Sequence, residues 1–122
     1  IKEGVKSIKE LEVIGEPTFL ISFRSRELDI FHVNDYMISK GWRFNGLQNP
    51  AAIHFCVTMP QTFVPGIADA LIGDLKAGVE YAGTKKGTPA RSSALYGLSG
   101  SLEGRSQLVQ VLYGTFEHLF RV

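Results

Sequence analysis

Tyr96 is the residue whose surroundings most suggest chemistry. It lies in the stretch RSSALYGLSGS, residues 91–101, where most neighbours are small and Gly97 follows directly. Small neighbours let a phenol hydroxyl approach a ligand closely, and glycine permits backbone angles that other residues avoid. The alternative is a ring that fills a seam between two helices and leaves its hydroxyl in water. We favour a functional hydroxyl at Tyr96.

Three cations lie upstream in the same glycine-rich region and could hold an anion. They are Lys85, Lys86 and Arg91, with a glycine and a proline between them. Short basic clusters in exposed loops are, however, most often only solvated. These three residues are therefore weaker candidates for substrate binding than Tyr96.

The histidines and the cysteine form no recognisable site. His32, His54 and His118 fall on predicted elements of different type, and no Cys or His pair has the spacing of zinc ligands. His54 alternates with apolar strand residues, so we expect it to make a structural hydrogen bond on the sheet. A Walker loop, a Rossmann glycine fingerprint and a nucleophile elbow are absent from the sequence. The sequence predicts no metal site and no self-sufficient catalytic motif.

Length and composition limit the class of protein. The chain has 122 residues, of which 44% are hydrophobic and 20% charged, which is enough for one domain with a modest core. A net charge of +1 gives no field that would attract nucleic acid or an anionic membrane. The single cysteine, Cys56, excludes an internal disulfide and favours a reducing, cytoplasmic location. Because the chain opens on Ile1 inside a helix-like pattern, we expect it to be part of a longer protein, with an upstream membrane anchor left open.

The first half of the chain predicts a helix, a strand, a short helix and a hairpin. Residues 1–9 have helical spacing, residues 18–25 read as a strand with Phe19, Ile21 and Phe23 on one face, and residues 28–31 read as extended. A short helix then places Val33 and Met37 on one side and stops at Gly41. The hairpin turns at Asn49-Pro50, residues 49–50.

The second half predicts two helices separated by a loop. A long helix over residues 63–83 carries an apolar stripe and begins with Pro65 in its first turn. Residues 83–101 are expected to form a loop or several turns, and helical spacing returns through Leu108, Leu112 and Phe116. The order of elements predicts an α+β fold in which helices cover one face of a small, largely antiparallel sheet.

The order of several short motifs resembles one enzyme family. Residues 15–58, GEPTFLISFRSRELDIFHVNDYMISKGWRFNGLQNPAAIHFCVT, contain a Gly-x-Pro turn before a strand, an aspartate-hydrophobic pair before a helix, and Gly-Trp before a hairpin. The second hairpin strand reads Pro-x-x-Ile-His-x-Cys-Val-Thr, and Ala94, Tyr96 and Gly97 form an Ala-x-Tyr-Gly motif. This ordered set, across nearly the whole chain, is similar to the C-terminal domain of the sphingosine-1-phosphate lyase family among the pyridoxal-phosphate-dependent group II decarboxylases.

The resemblance implies the smaller domain of a fold type I enzyme. In such an enzyme a large domain binds pyridoxal 5'-phosphate on a lysine, and no motif of that kind is present in residues 1–122, so this chain alone is expected to be inactive. The intact enzyme would be a homodimer that cleaves a phosphorylated long-chain base into a fatty aldehyde and phosphoethanolamine. Tyr96 would face the substrate phosphate or the cofactor.

Two other functions remain open from the sequence. The same fold could decarboxylate an amino acid, in which case Arg91 or Arg43 would hold the substrate carboxylate. A stand-alone ligand-binding or interaction module that never had a catalytic partner domain is the third hypothesis. The coding sequence upstream of Ile1 distinguishes the module from the two enzymes.

Overall fold

The computed structural model describes residues 1–93 and 102–120. The helices are α1 (Lys2–Lys6), α2 (Ile30–Ser39), α3 (Met59–Thr62), α4 (Ile67–Gly83) and α5 (Leu102–Phe120), and the strands are β1 (Glu12–Val13), β2 (Leu20–Arg24), β3 (Asn45–Leu47) and β4 (Ala52–Cys56). The four strands form one antiparallel sheet in the order β1-β2-β4-β3. The predicted α+β class, the antiparallel sheet and the hairpin of β3 and β4 are confirmed.

Alternation along β2 and β4 creates the apolar face of the sheet. Ile21 and Phe23 on β2 and Ile53 and Phe55 on β4 are all at most 3% exposed, and they join one core with side chains of α2 and α4. The prediction that Phe19 shares this face is wrong. β2 begins at Leu20, and Phe19 precedes the strand with 62% of its surface exposed.

α2 begins earlier than the sequence pattern predicts. The carboxylate of Asp29 accepts a hydrogen bond of 2.9 Å from the backbone N–H of Phe31, which is the usual way an aspartate caps a helix. The predicted extended segment 28–31 is therefore wrong at its end, since Ile30 and Phe31 are already helical. Val33 and Met37 are completely buried, and Gly41 follows the helix with a φ of 89°.

α4 begins later than predicted, at Ile67, because the backbone turns before it. Gly66 has a φ of 73°, a left-handed conformation that glycine adopts without strain and that cannot continue a helix. Pro65 therefore lies in the turn before α4, and Val64 is 50% exposed instead of packing on the sheet. The remaining stripe of α4 is buried as predicted, through Leu71, Leu75, Val79 and Ala82.

The edge strand β1 is too short for its sequence to predict, and it carries a carboxylate that pairs with two arginines. Glu12 on β1 faces Arg24 on β2 and accepts hydrogen bonds from Arg24 Nε at 3.0 Å and Arg26 Nε at 2.9 Å. Hydrogen bonds from Arg24 and Arg26 lower the pKa of Glu12 from 4.5 to about 2.

The predicted terminal helix is confirmed as α5. Its apolar side chains Leu112, Phe116 and Leu119 are 46%, 55% and 66% exposed. Over the described parts of the chain, no helix combines the length and the hydropathy that crossing a membrane requires.

Candidate functional site

The segment that leaves α4 runs along α2 up to Ser93, the last residue that the structure describes before Tyr96. The backbone turns twice after Gly83, with hydrogen bonds from the N–H of Thr88 to the carbonyl of Lys85 and from the N–H of Ser93 to the carbonyl of Ala90. Ala90 is 3% exposed and belongs to the core. Tyr96, with Ala94 and Gly97, lies outside the described residues, so the structure describes the approach to this motif.

Two polar side chains of α2 hold the segment. The carboxylate of Asp35 accepts hydrogen bonds from the backbone N–H of Arg91 at 2.6 Å and of Ser92 at 3.0 Å. Nε2 of His32, a residue that is 5% exposed, lies 2.7 Å from the carbonyl oxygen of Thr88. The hydroxyl of Ser92 also donates to the carbonyl of Phe31 at 3.0 Å. The last described residues before Tyr96 are therefore fixed to one helix.

Sequence reasoning does not single out Asp35 and His32 as a pair. Each contacts a residue 56 positions away along the chain, and local patterns carry no information about such a distance. One signal was available, since residues three apart in a helix share a face. A histidine and an aspartate at this spacing on a mostly apolar helix indicate a second polar segment packed beside it.

The structure divides the predicted cations between two clefts. Lys85 and Lys86 line a cleft together with Glu27, Asp29 and His32, so carboxylates accompany these ammonium groups. Nζ of Lys85 also lies 5.1 Å from the centre of the Tyr81 ring, close enough for a cation–π contact.

Arg91 lines a different cleft. It belongs to the part of the segment that is nearer to Tyr96 along the chain. Asn34, Asp35, Phe44 and Ser92 contribute to this second cleft. Asn34 is 2% exposed, and its Oδ1 has no hydrogen-bond partner among the residues that the structure describes. Arg43 is exposed and lines neither cleft.

His54 lies away from both clefts, on the strand β4. Its Nε2 is 3.2 Å from Nδ2 of Asn45 on the neighbouring strand β3. This is the structural hydrogen bond across the sheet that the sequence predicts. Among the described residues, no three His, Cys, Asp or Glu side chains are placed to hold a metal ion.

Comparison with known proteins shows which proteins this chain resembles in sequence. No protein-family model matches the chain. The chain is 40% identical over 114 residues to a sphingosine-1-phosphate lyase of Arabidopsis thaliana, covering 92% of this chain and 20% of that protein. It is 36% identical over 113 residues to a sphingosine-1-phosphate lyase of Drosophila melanogaster, covering 91% of this chain and 21% of that protein.

A solved structure agrees with these relatives in fold as well as in sequence. The sphingosine-1-phosphate lyase of Burkholderia pseudomallei matches with a TM-score of 0.65 and 43% identity, over 91% of this chain and 21% of that one. The chain thus spans about a fifth of the length of the curated relatives it matches. By its sequence and its fold, this chain is related to the sphingosine-1-phosphate lyases and corresponds to their C-terminal region.

Proposed function

We propose that residues 1–122 form a single C-terminal domain of a pyridoxal-phosphate-dependent carbon–carbon lyase that acts on a phosphorylated long-chain base. The match to sphingosine-1-phosphate lyases over 92% of the chain carries this proposal. In the full-length protein this domain would cover an active site held by a larger domain, in a homodimer. The single, half-buried Cys56 supports a reducing, cytoplasmic setting.

The lysines of this chain support a cofactor site elsewhere in the enzyme. A lysine that forms a Schiff base needs a protected environment that favours its neutral amine. Every lysine of the chain lies within residues 1–93, and none of them is buried. The described residues therefore do not fit pyridoxal 5'-phosphate by themselves, and we propose that the chain alone is inactive. When bound by the full-length enzyme, the cofactor would supply an electron sink for cleavage of the carbon–carbon bond.

We assign this chain a supporting role at the substrate. Tyr96 is proposed as an accessory residue whose hydroxyl contacts the substrate phosphate or orients the reacting group. Among the cations, Arg91 is the better candidate for the phosphate, because it lies five positions before Tyr96 and within the segment that is fixed on α2. Lys85 and Lys86 share their cleft with the carboxylates of Glu27 and Asp29, which compete with an anionic ligand. The carboxylate in the cleft of Arg91 belongs to Asp35 and already accepts two backbone hydrogen bonds.

The test of the proposed function is an assay of the full-length protein that carries this chain. Purified protein should contain pyridoxal phosphate by absorbance and should release a long-chain aldehyde from a phosphorylated sphingoid base. Carbon dioxide release from an amino-acid panel, without aldehyde, would instead indicate a decarboxylase. Absence of the cofactor and of both products would support the stand-alone module. Light scattering of the same sample checks the proposed dimer.

Matched variants test the choice among the cations. Arg91→Ala should raise KM for the phosphorylated base by about tenfold, the loss expected when one charged hydrogen bond to an anion is removed. Lys85→Ala removes a cation from the same loop and serves as the control, with kcat and KM within about twofold of the parent. The reverse order of effects would assign the phosphate to the cleft of Lys85 and Lys86.

A further inference from the structure

We propose that Asp35 is a positioning residue that fixes the segment carrying Tyr96 to α2. This inference deepens the proposed function and rests on it for the role of Tyr96. We assign Asp35 no bond to the substrate or the cofactor. It would act through the backbone that leads to residues 94–101.

The carboxylate of Asp35 binds the backbone of the turn that follows α4. Its two oxygens accept from two successive N–H groups, those of Arg91 and Ser92, at 2.6 and 3.0 Å. Hydrogen bonds from backbone N–H groups to an ionised carboxylate are about twice as strong as bonds between neutral groups. Because both oxygens are used, the contact fixes the direction of the chain as well as its position.

Neighbouring contacts attach the same turn to α2 at further points. Ser92 bonds through its hydroxyl to the carbonyl of Phe31, one helical turn before Asp35. Thr88 bonds to His32, and Ala90 is buried between these two attachments. The segment is thus attached at residues 88, 90, 91 and 92, and Asp35 accepts both backbone hydrogen bonds at residues 91 and 92.

Placement matters because an accessory hydroxyl works only within hydrogen-bond reach of its target. A displacement of about 1 Å by a change distant from the chemistry can reduce a rate by about a hundredfold. Asp35 is the one charged group shown to contact the backbone of residues 90–93, among the residues that the structure describes. Its removal should therefore loosen the approach to Tyr96 and leave the core of α2 and α4 in place.

The experiment compares Asp35→Ala with Glu80→Ala in the full-length protein that carries this chain. Glu80 is an exposed carboxylate on α4, so its loss controls for a general change of charge. Asp35→Ala should lower kcat by about 10- to 100-fold. Because Asp35 also holds the backbone N–H of Arg91, KM should rise too, but by no more than the roughly tenfold expected for Arg91→Ala. Hydrogen exchange in the peptide spanning residues 88–96 should accelerate by about tenfold or more. Glu80→Ala should change neither quantity by more than about twofold.

Asp35→Asn and a double variant separate positioning from general stability. Asp35→Asn retains one acceptor oxygen, so it should show an intermediate loss, and it replaces Asp35→Ala if that variant does not fold. If Asp35 acts through Tyr96, the double variant Asp35→Ala/Tyr96→Phe should be no more than about threefold slower than the slower single variant. Losses that multiply would overturn the connection to Tyr96.

Failure of this inference can be distinguished from failure of the proposed function. Unchanged exchange over residues 88–96, or a kcat within about twofold of the parent, overturns the role of Asp35. If the parent protein has no lyase activity, the proposed function fails and the exchange measurement alone decides whether Asp35 holds the segment. If Tyr96→Phe is silent, only the role of Tyr96 is lost, and the kcat and exchange of Asp35→Ala still decide the inference.

Discussion

At the scale of one residue, two roles are open for Tyr96: its hydroxyl contacts the substrate, or its ring only fills space between other side chains. Tyr96→Phe removes only the hydroxyl, so in the full-length enzyme it should retain the fold and lower turnover about ten- to a hundredfold. That range corresponds to roughly 1.5–3 kcal/mol for a hydrogen bond to a charged group. Steady-state kinetics of the purified variant checks this. Activity within about twofold of the parent would show that the hydroxyl is not needed and that the ring only packs against its neighbours.

Glu12 connects a single carboxylate to the acid stability of the sheet edge. Its pKa is lowered in the folded chain from 4.5 to about 2 by Arg24 and Arg26, so the unfolded chain binds more protons between these values. The stabilisation is therefore present above about pH 4.5 and is lost as the pH falls toward 2. Glu12→Gln should show a smaller drop in Tm across this window than the parent chain.

Thermal unfolding of both chains from pH 7 to pH 2 tests the Glu12 prediction. Some acid sensitivity should remain in the variant, because hydrogen bonding with Lys2 lowers the pKa of Glu16 as well. Parallel Tm curves for the two chains would show that Glu12 does not contribute.

Residue roles were predictable where the sequence pattern is local and not where a contact spans the chain. The burial of Ile53 and Phe55 follows from alternation along one strand. The contacts of Asp35 with Arg91 and Ser92 depend on how α2 and the end of α4 meet, which periodicity within either helix cannot determine. The separation of the predicted cations into two clefts could not be predicted either, because it depends on tertiary structure.

At the scale of elements, types were predicted better than ends. The long apolar stripe correctly indicates α4, but it continues through Val64 without marking the break at Gly66. The start of α2 was missed because the apolar residues Leu28, Ile30 and Phe31 resemble a short strand, whereas the Asp29 cap makes the last two helical. A helix cap or a left-handed glycine depends on one residue, and a hydrophobic pattern averaged over many residues does not detect it.

Two glycines near and within α4 test this interpretation. Gly66→Ala should destabilise the chain by about 1–2 kcal/mol, because a side chain at a φ of 73° is strained. Gly73 lies inside α4, where an added Cβ meets no atom within 4 Å. Gly73→Ala should therefore stabilise the chain by about 0.5–1 kcal/mol. Urea unfolding of both variants measures the two changes, and equal signs would contradict the assigned backbone conformations.

At the scale of the whole molecule, one core joins the sheet to its helices. Leu75 is completely buried within this core, whereas Phe63 is 76% exposed beyond its edge. Leu75→Ala should destabilise the chain by about 2–5 kcal/mol through lost apolar contact and a residual cavity. Phe63→Ala removes a larger side chain and should change stability by less than about 0.5 kcal/mol. Comparable losses in urea unfolding would place Phe63 inside the folded core.

The fold class follows from the order of helices and strands, because a small antiparallel sheet with one apolar face buries that face by packing helices against it. The sequence does not reveal β1, whose two residues carry no pattern. The cleft beside Arg91 likewise requires three separate segments, contributed by α2, by the approach to β3 and by the turn after α4.

The indole of Trp42, the only tryptophan in the chain, gives this domain an intrinsic fluorescent reporter. Its Nε1 donates to the carboxylate of Asp74 on α4 at 2.7 Å, and its ring lies 6.1 Å from that of Phe55 on β4. The fluorophore therefore joins the hairpin to the long helix. Trp42 is half-buried, so its contact with water would increase when the two separate. Its emission reports the docking of the hairpin on α4 without any attached dye. Circular dichroism measured on the same sample reports the helices, so a difference between the two transitions would show whether the hairpin detaches before the helices melt.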